Sequence, residues 1–237
     1  MPYQSVFERY EMKYLITSEQ KEKIERRMAE YMSPDQYGNS QIQNIYFDTP
    51  TFLLARRSAM KPLYKEKLRM RCYGNITEQS DVFIEIKKKC CSVVYKRRTH
   101  CPYSESVDFF KPDFEPNTQI EKEISYFVKS YSPLSPAVYL SYERKAFYGK
   151  SDSGFRVTFD SNILWRNYDL SLLKGSYGET ILGDGMYLME IKTGTAVPLW
   201  MTSLLSEERL YKTSFSKYGC AYNAIYQNYL KGEKHYA

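Results

Sequence analysis

The stretch YKEKLRMRCYG, residues 64–74, alternates with period two: Lys65, Lys67, Arg69 and Arg71 share one parity, and Glu66, Leu68 and Met70 share the other. Successive side chains of an extended chain point to opposite faces. The segment therefore predicts a β-strand with four cations on one side. The same sorting recurs along the chain. The charged faces collect Arg9, Glu11 and Lys13; Lys65, Lys67, Arg69 and Arg71; Glu85, Lys87 and Lys89; Lys96 and Arg98; Tyr142 and Arg144; Arg156 and Asp160; and Glu190 and Lys192. Thirteen cations and four carboxylates give these faces a formal excess of nine, against +6 for all 237 residues.

A solvated sheet face also alternates, but it normally mixes signs. Same-face neighbours about 7 Å apart repel by about 0.6 kcal/mol in water and by about 2.4 kcal/mol at an effective dielectric of 20. That is tolerable on an open surface and costly inside a cylinder, unless a polyanion fills the space. The expectation is a closed antiparallel β-barrel whose lumen binds a chain of phosphates. Glu11, Glu85, Asp160 and Glu190 share the cationic face. Carboxylates beside phosphate repel it unless Mg²⁺ or Mn²⁺ bridges the two. Glu190 and Glu85, each in an E-I-K run within an otherwise apolar strand, are the candidate metal ligands. Glu–Lys cross-strand pairing is the alternative reading.

The pattern predicts strands over 3–16, 41–49, 63–73, 82–89, 93–99, 137–148, 154–160 and 186–192. Helices are expected over about 18–32, after Pro50, over 119–132, from PLWMTSLLSEERL and over roughly 216–231, with SPDQYGNS as a loop. No repeat or long linker divides the chain, so residues 1–237 read as one α+β domain of about eight strands with peripheral helices. The 43% hydrophobic content supplies a core.

Other chemistries find little support. The five cysteines are odd in number and lack a CxxC spacing, which argues against a zinc cluster or disulfide framework and for a reducing compartment. The two histidines are His100 and His235, and no GxxxxGK[ST] occurs. No apolar run reaches membrane-spanning length, and the N-terminus does not read as a secretory signal. The expected location is the cytoplasm, with membrane association only through a membrane-protein partner. Nucleic-acid binding is not expected, because the aromatics mostly alternate opposite the cations instead of sharing their face.

The fragments RYEMKYLI, IYFDT, KLRMRCYG, FIEIKKK, YERKAF, RVTFD, YLMEIKTG and FSKYG, in this order over about residues 7–225, resemble the vacuolar transporter chaperone (VTC) domain. That is a polyphosphate polymerase domain of the CYTH, or triphosphate tunnel, superfamily. The resemblance implies an antiparallel tunnel that binds ATP or another nucleoside triphosphate with Mn²⁺ or Mg²⁺ and passes the γ-phosphoryl group to a polyphosphate chain. Carried over by position, Lys13, Arg69, Arg71, Lys87, Tyr142 and Arg144 would hold phosphates, joined by Lys96 or Arg98, and Glu190 would hold the metal. Ser216 and Lys217 would close the phosphate site. They also stand where a helix N-terminus is expected, a place that favours anions, although without the resemblance a simple N-cap at Ser214 or Ser216 with Lys217 solvated is an equal reading. With Arg156 from the charged faces, these are the expected binding residues; Lys217, Arg69, Arg71 and Arg144 are the expected catalytic ones. The superfamily's ExExK start reads Arg9–Tyr10–Glu11–Met12–Lys13 here, so the first glutamate is an arginine. This disfavours the rival hydrolytic reading, a tripolyphosphatase or nucleoside triphosphatase. A non-catalytic module that binds polyphosphate or inositol phosphates is the other alternative.

Overall fold

The computed structural model describes residues 10–60, 62–91, 93–111 and 113–230. Arg9, His235 and the first residues of the strand expected over 3–16 lie outside them. Nine strands form one antiparallel sheet: β1 (Tyr10–Thr17), β2 (Met32–Asp48), β3 (Tyr64–Tyr73), β4 (Asp81–Cys90), β5 (Val93–Pro102), β6 (Ser135–Gly149), β7 (Arg156–Arg166), β8 (Glu179–Thr180) and β9 (Met186–Thr193). Their order is β1-β9-β7-β6-β2-β3-β4-β5, with β8 on β7. Among the described residues five α-helices accompany them: α1 (Ser18–Tyr31), α2 (Leu53–Ala59), α3 (Gln119–Ser130), α4 (Leu199–Glu207) and α5 (Lys217–Leu230). Thr17 and Thr118 close capping boxes with Gln20 and Glu121, which fixes where α1 and α3 begin. Among the described residues no helix is long and apolar enough to cross a membrane.

Two expectations change. The segment SPDQYGNS is not a loop. It extends β2 and pairs with β6 through a register shift between Pro34 and Asn39. The irregularity lets a Pro- and Gly-containing stretch stay in the sheet at its margin. The second change concerns closure. The hydrogen-bonded path runs from β1 to β5 and no ladder joins these two strands among the described residues, so the barrel is not closed by backbone pairing. Strand β5 is an exposed edge that carries Lys96, Arg97 and Arg98, a decoration that discourages further pairing.

The sheet is nonetheless strongly curled. Lys87 on β4 reaches Glu11 on β1 at 3.6 Å, although these strands are six steps apart in the sheet order. In a flat sheet the separation would be about 29 Å, at roughly 4.8 Å per step. The convex face buries two apolar clusters. One joins Leu68, Met70, Ile84 and Ile86 to Ile124 and Phe127 of α3. The other joins Tyr14, Ile16 and Ile191 to Ile24 and Met28 of α1 and Met201 of α4.

The concave face is divided, which the alternation did not reveal. Leu188 stands two residues before Glu190, and Leu140 two before Tyr142, so they share the parity of the charged residues. They pack with Ile42, Val138 and Trp165 against Ala55 of α2 and Tyr218 and Ala221 of α5. Half of the concavity is thus a core roofed by α5, and the other half is charged.

Beyond β7, the buried Arg166 organises the connection to β8. Its guanidinium donates to the carbonyl oxygens of Asp169, Ser171, Gly175 and Tyr177 and lies between the rings of Tyr139 and Tyr177. The returning chain passes so close that a Cβ at Gly178 would lie 2.2 Å from the Trp165 carbonyl oxygen. Replacing Arg166 by Met strands these carbonyls. It is expected to lower the unfolding free energy by about 3 kcal/mol, as read by urea denaturation.

Candidate functional site

The charged half of the concavity is built by strand register. Across β1, β9 and β7, Lys13 pairs with Glu190 and Glu11 with Lys192, while Glu190 also faces Thr158. Across β6 and β7, Arg144 faces Asp160. Across β2, β3 and β4, Tyr46 faces Arg69 and Arg69 faces Glu85, while Asn44 faces Arg71. Next along, Lys67, Lys87 and Lys96 stand directly opposite one another on β3, β4 and β5.

Four carboxylates anchor this surface. Glu85, 1% exposed, meets Arg69 at 2.7 Å, Lys96 at 2.5 Å and Arg71 at 4.0 Å. Asp160 is fully buried. It accepts a bidentate pair from Arg144 at 2.6 and 2.7 Å and a third bond from Lys217 at 2.5 Å. Glu190 lies within 3.1–3.7 Å of Lys192, Lys13, Arg144 and Lys217. Glu11 lies 3.3 Å from Lys13 and 3.6 Å from Lys87. With Lys67, nine cations stand against four carboxylates, a formal excess of five.

Titration follows from this crowding. Burial opposes ionisation of Glu85, Asp160 and Glu190, yet the surrounding guanidinium and ammonium charges outweigh it and hold all three below the usual carboxylate range. Glu11 is likewise lowered to about 2, burial being outweighed chiefly by Lys87 and Lys192. Lys67 moves the other way, down to about 8, through burial and the like charges of Lys87, Lys65 and Lys13. No carboxylate lies within ion-pair distance of Lys67 among the described contacts; its Nζ donates to Ser216 Oγ at 3.1 Å. Tyr46 is lowered to about 7, because Arg69, Lys67 and Arg71 outweigh its burial; its hydroxyl accepts from Arg69 at 3.0 Å.

The structure brings Lys13, Arg69, Arg71, Lys87, Lys96, Tyr142, Arg144, Ser216, Lys217, Glu85 and Glu190 together. Tyr142 accepts from Arg71 at 2.9 Å and lies under Arg144 and Lys217. Ser216 accepts from Gly219 N at 3.1 Å, so its hydroxyl caps α5 while also receiving Lys67. Two expected residues stand apart. Arg156 turns to Asp35 at 2.7 Å, and the exposed Arg98 lies over the ring of Phe83. Parity placed Lys67 and Lys192 on the cationic face without assigning either a site role, and it missed Tyr46 and Asn44, whose side-chain carbonyl accepts from Arg71 at 2.8 Å. Tyr46 and Asn44 sit in a strand that carries no lysine or arginine to mark its face, and only its register with β3 reveals them.

Glu85 behaves as a counter-ion, with its oxygens turned to Arg69 and Lys96. Replacing it by Ala leaves buried cations unpaired and should cost about 3–5 kcal/mol. Inorganic phosphate is expected to raise the melting temperature of Glu85→Ala more than that of the unmodified protein, as measured by thermal shift.

A family model described as the VTC domain matches residues 8–226. No curated protein matches the chain. Among solved structures, a candidate adenylate cyclase from Bacillus halodurans is similar with a TM-score of 0.56 at 14% identity, covering 90% of this chain and 96% of that one. A protein from Pyrococcus horikoshii has a TM-score of 0.48 at 12% identity, covering 92% and 98%. A candidate adenylate cyclase from Vibrio parahaemolyticus has 0.46 at 12%, covering 89% and 95%. At such identities the first of these likenesses is one of fold alone. The family match, which spans nearly the whole chain and takes in every element of the charged concavity, shows that this protein belongs to the VTC domain family.

Proposed function

We propose that this protein is a metal-dependent polyphosphate polymerase, which transfers the γ-phosphoryl group of ATP or another nucleoside triphosphate to a polyphosphate chain. One observation carries the reading: eight cations pair with four carboxylates in a concave groove that also holds Lys67, and one of the eight, Lys217, comes from the first position of a separate helix. Family membership supports the same chemistry. Phosphoryl transfer needs little covalent participation from the protein and depends on positioning and charge neutralisation.

Arg69, Arg71 and Arg144 are each held by a carboxylate or a neutral acceptor, so their positions are set before a ligand arrives. They and Lys13 would bind the non-transferred phosphates, and Lys217 would neutralise charge on the transferred group. The acceptor is itself an ionised phosphate and needs no base. The donor set also fits a divalent ion. Among the described residues no three His, Cys, Asp or Glu side chains converge on one point. A site offering one or two carboxylates suits Mg²⁺ or Mn²⁺, which take remaining ligands from phosphate oxygens and water. Glu190, with Glu11 beside it, would hold the ion, which supplies charge neutralisation at the phosphates when bound. The arginine at the first position of ExExK leaves fewer carboxylates for activating water, which favours transfer over hydrolysis.

With Mn²⁺ and ATP the purified protein is expected to yield ADP and polyphosphate, seen on a stained gel. Release of orthophosphate alone would assign it instead to hydrolysis. Lys217→Ala should reduce synthesis at least about 100-fold with an unchanged circular dichroism spectrum; full activity in that variant would overturn the site.

Affinity should depend on pH through Lys67. A lysine lowered to about 8 loses its charge as pH rises through that value, while Tyr46 gains a negative charge near 7. Both changes weaken anion binding. The affinity for inorganic tripolyphosphate is expected to fall between pH 7 and 9. Lys67→Arg keeps its charge throughout and should show a shallower fall by calorimetry, a comparison that cancels the ionisation of the ligand.

A further inference from the structure

We propose that Asp48 and Tyr218 form a positioning pair that fixes the first turn of α5, and with it Ser216 and Lys217, over the cationic groove. The proposal deepens the reading of the groove as a phosphate site and rests on it for its binding test.

Asp48 ends β2 and is fully buried. Its Oδ1 accepts from the amides of Thr49 at 2.8 Å and Leu54 at 2.9 Å, and its Oδ2 accepts from the amide of Ala55 at 2.9 Å. The carboxylate therefore satisfies the open amides at the start of α2. Its fourth partner comes from the far end of the chain: the Tyr218 hydroxyl donates to Oδ2 at 2.6 Å. Burial and the adjacent Asp48 carboxylate push the Tyr218 phenol well above its ordinary range, so the hydroxyl keeps its proton and remains a donor.

Tyr218 also stacks on Tyr46, with centroids 4.6 Å apart and planes 6° from parallel. Lys67 lies 5.5 Å from its ring centre. The two residues before it in sequence carry the site contacts, Ser216 receiving Lys67 and Lys217 donating to Asp160. A displacement of Tyr218 thus moves both contacts within the same helical turn.

The remaining side-chain tethers of this turn differ in kind. Lys13 donates to Phe215 O at 2.9 Å, Lys67 to Ser216, and Lys217 to Asp160. Each uses a cation that an entering phosphate would also attract. The Tyr218–Asp48 bond uses none of them. It holds α5 in place while the groove cations redistribute towards a ligand, and misplacement by about 1 Å in such a site costs up to about 100-fold.

Tyr218→Phe isolates the effect, because the ring still stacks and Asp48 retains its three amide donors. Inorganic tripolyphosphate is the probe. Tyr218→Phe is expected to raise its Kd about tenfold. Lys217→Ala should weaken binding about 30-fold in the otherwise unmodified protein, and by less than about threefold when Tyr218→Phe is already present. An unchanged Kd for Tyr218→Phe overturns the proposal, as does an equal Lys217→Ala penalty in both backgrounds; a lowered melting temperature alone, which loose packing would also produce, does not rescue it. A second arm needs no ligand. Backbone amides of 219–222, the first of α5 that are hydrogen-bonded, should exchange hydrogen at least about tenfold faster in Tyr218→Phe and in Asp48→Asn, with β7 unaffected; unchanged exchange in both variants overturns the pair. If the unmodified protein fails to bind tripolyphosphate, the phosphate-site reading falls, and the exchange arm still decides whether the pair anchors α5.

Discussion

The structure depends on a charge balance inside a curled sheet. Lysines and arginines on neighbouring strands would repel if they alone lined the concavity. Glu85, Asp160, Glu190 and Glu11 divide them into local groups, each with an anion at its centre. Such buried clusters contribute little net stability, since desolvation offsets most of the attraction. What they provide is geometry. An arginine held by two bonds to Asp160 cannot wander, and the excess of positive charge remains available to a polyanion. The lowered lysine and tyrosine values in the same groove are the cost of that excess, appearing as protons that leave near neutral pH.

The helix α5 gives the concavity its second character. Its apolar side completes a core with Leu140, Trp165 and Leu188, and its leading residues stand at the border between that core and the charges. A short segment therefore contributes at once to stability and to the site. Loss of a single apolar contact here would be felt in both, which makes stability measurements a necessary companion to any assay of α5 variants.

Much of this was legible in the sequence. The alternation in KEKLRMR and FIEIKKK placed the cations on one face, and the ordered motifs indicated the family. Helices expected over about 18–32 and 119–132 are found as α1 and α3. Other features depend on contacts that no local pattern encodes. Tyr46 enters the site because β2 happens to register with β3, and Asp48 meets Tyr218 across 170 positions of sequence. Arg156 and Arg98 carry the correct parity, yet Asp35 and Phe83 draw them elsewhere. Parity specifies a face but not a position along it, and so it could not show that half of the concave face is apolar. It also could not decide whether the sheet closes, since closure is a matter of edge pairing.

Among the described residues no backbone ladder joins β1 to β5, and a ladder there would decide how a long ligand enters. A cylinder sealed by a backbone ladder accepts a polymer only by threading through its ends, and opening its wall means rupturing a row of hydrogen bonds together. Here the approach of Glu11 to Lys87 spans the curl with side chains. A partly exposed ion pair of this kind contributes at most about 1 kcal/mol, so this contact does little to seal the curl. For the polyphosphate substrate proposed above, such a seam would leave side entry as an alternative to threading.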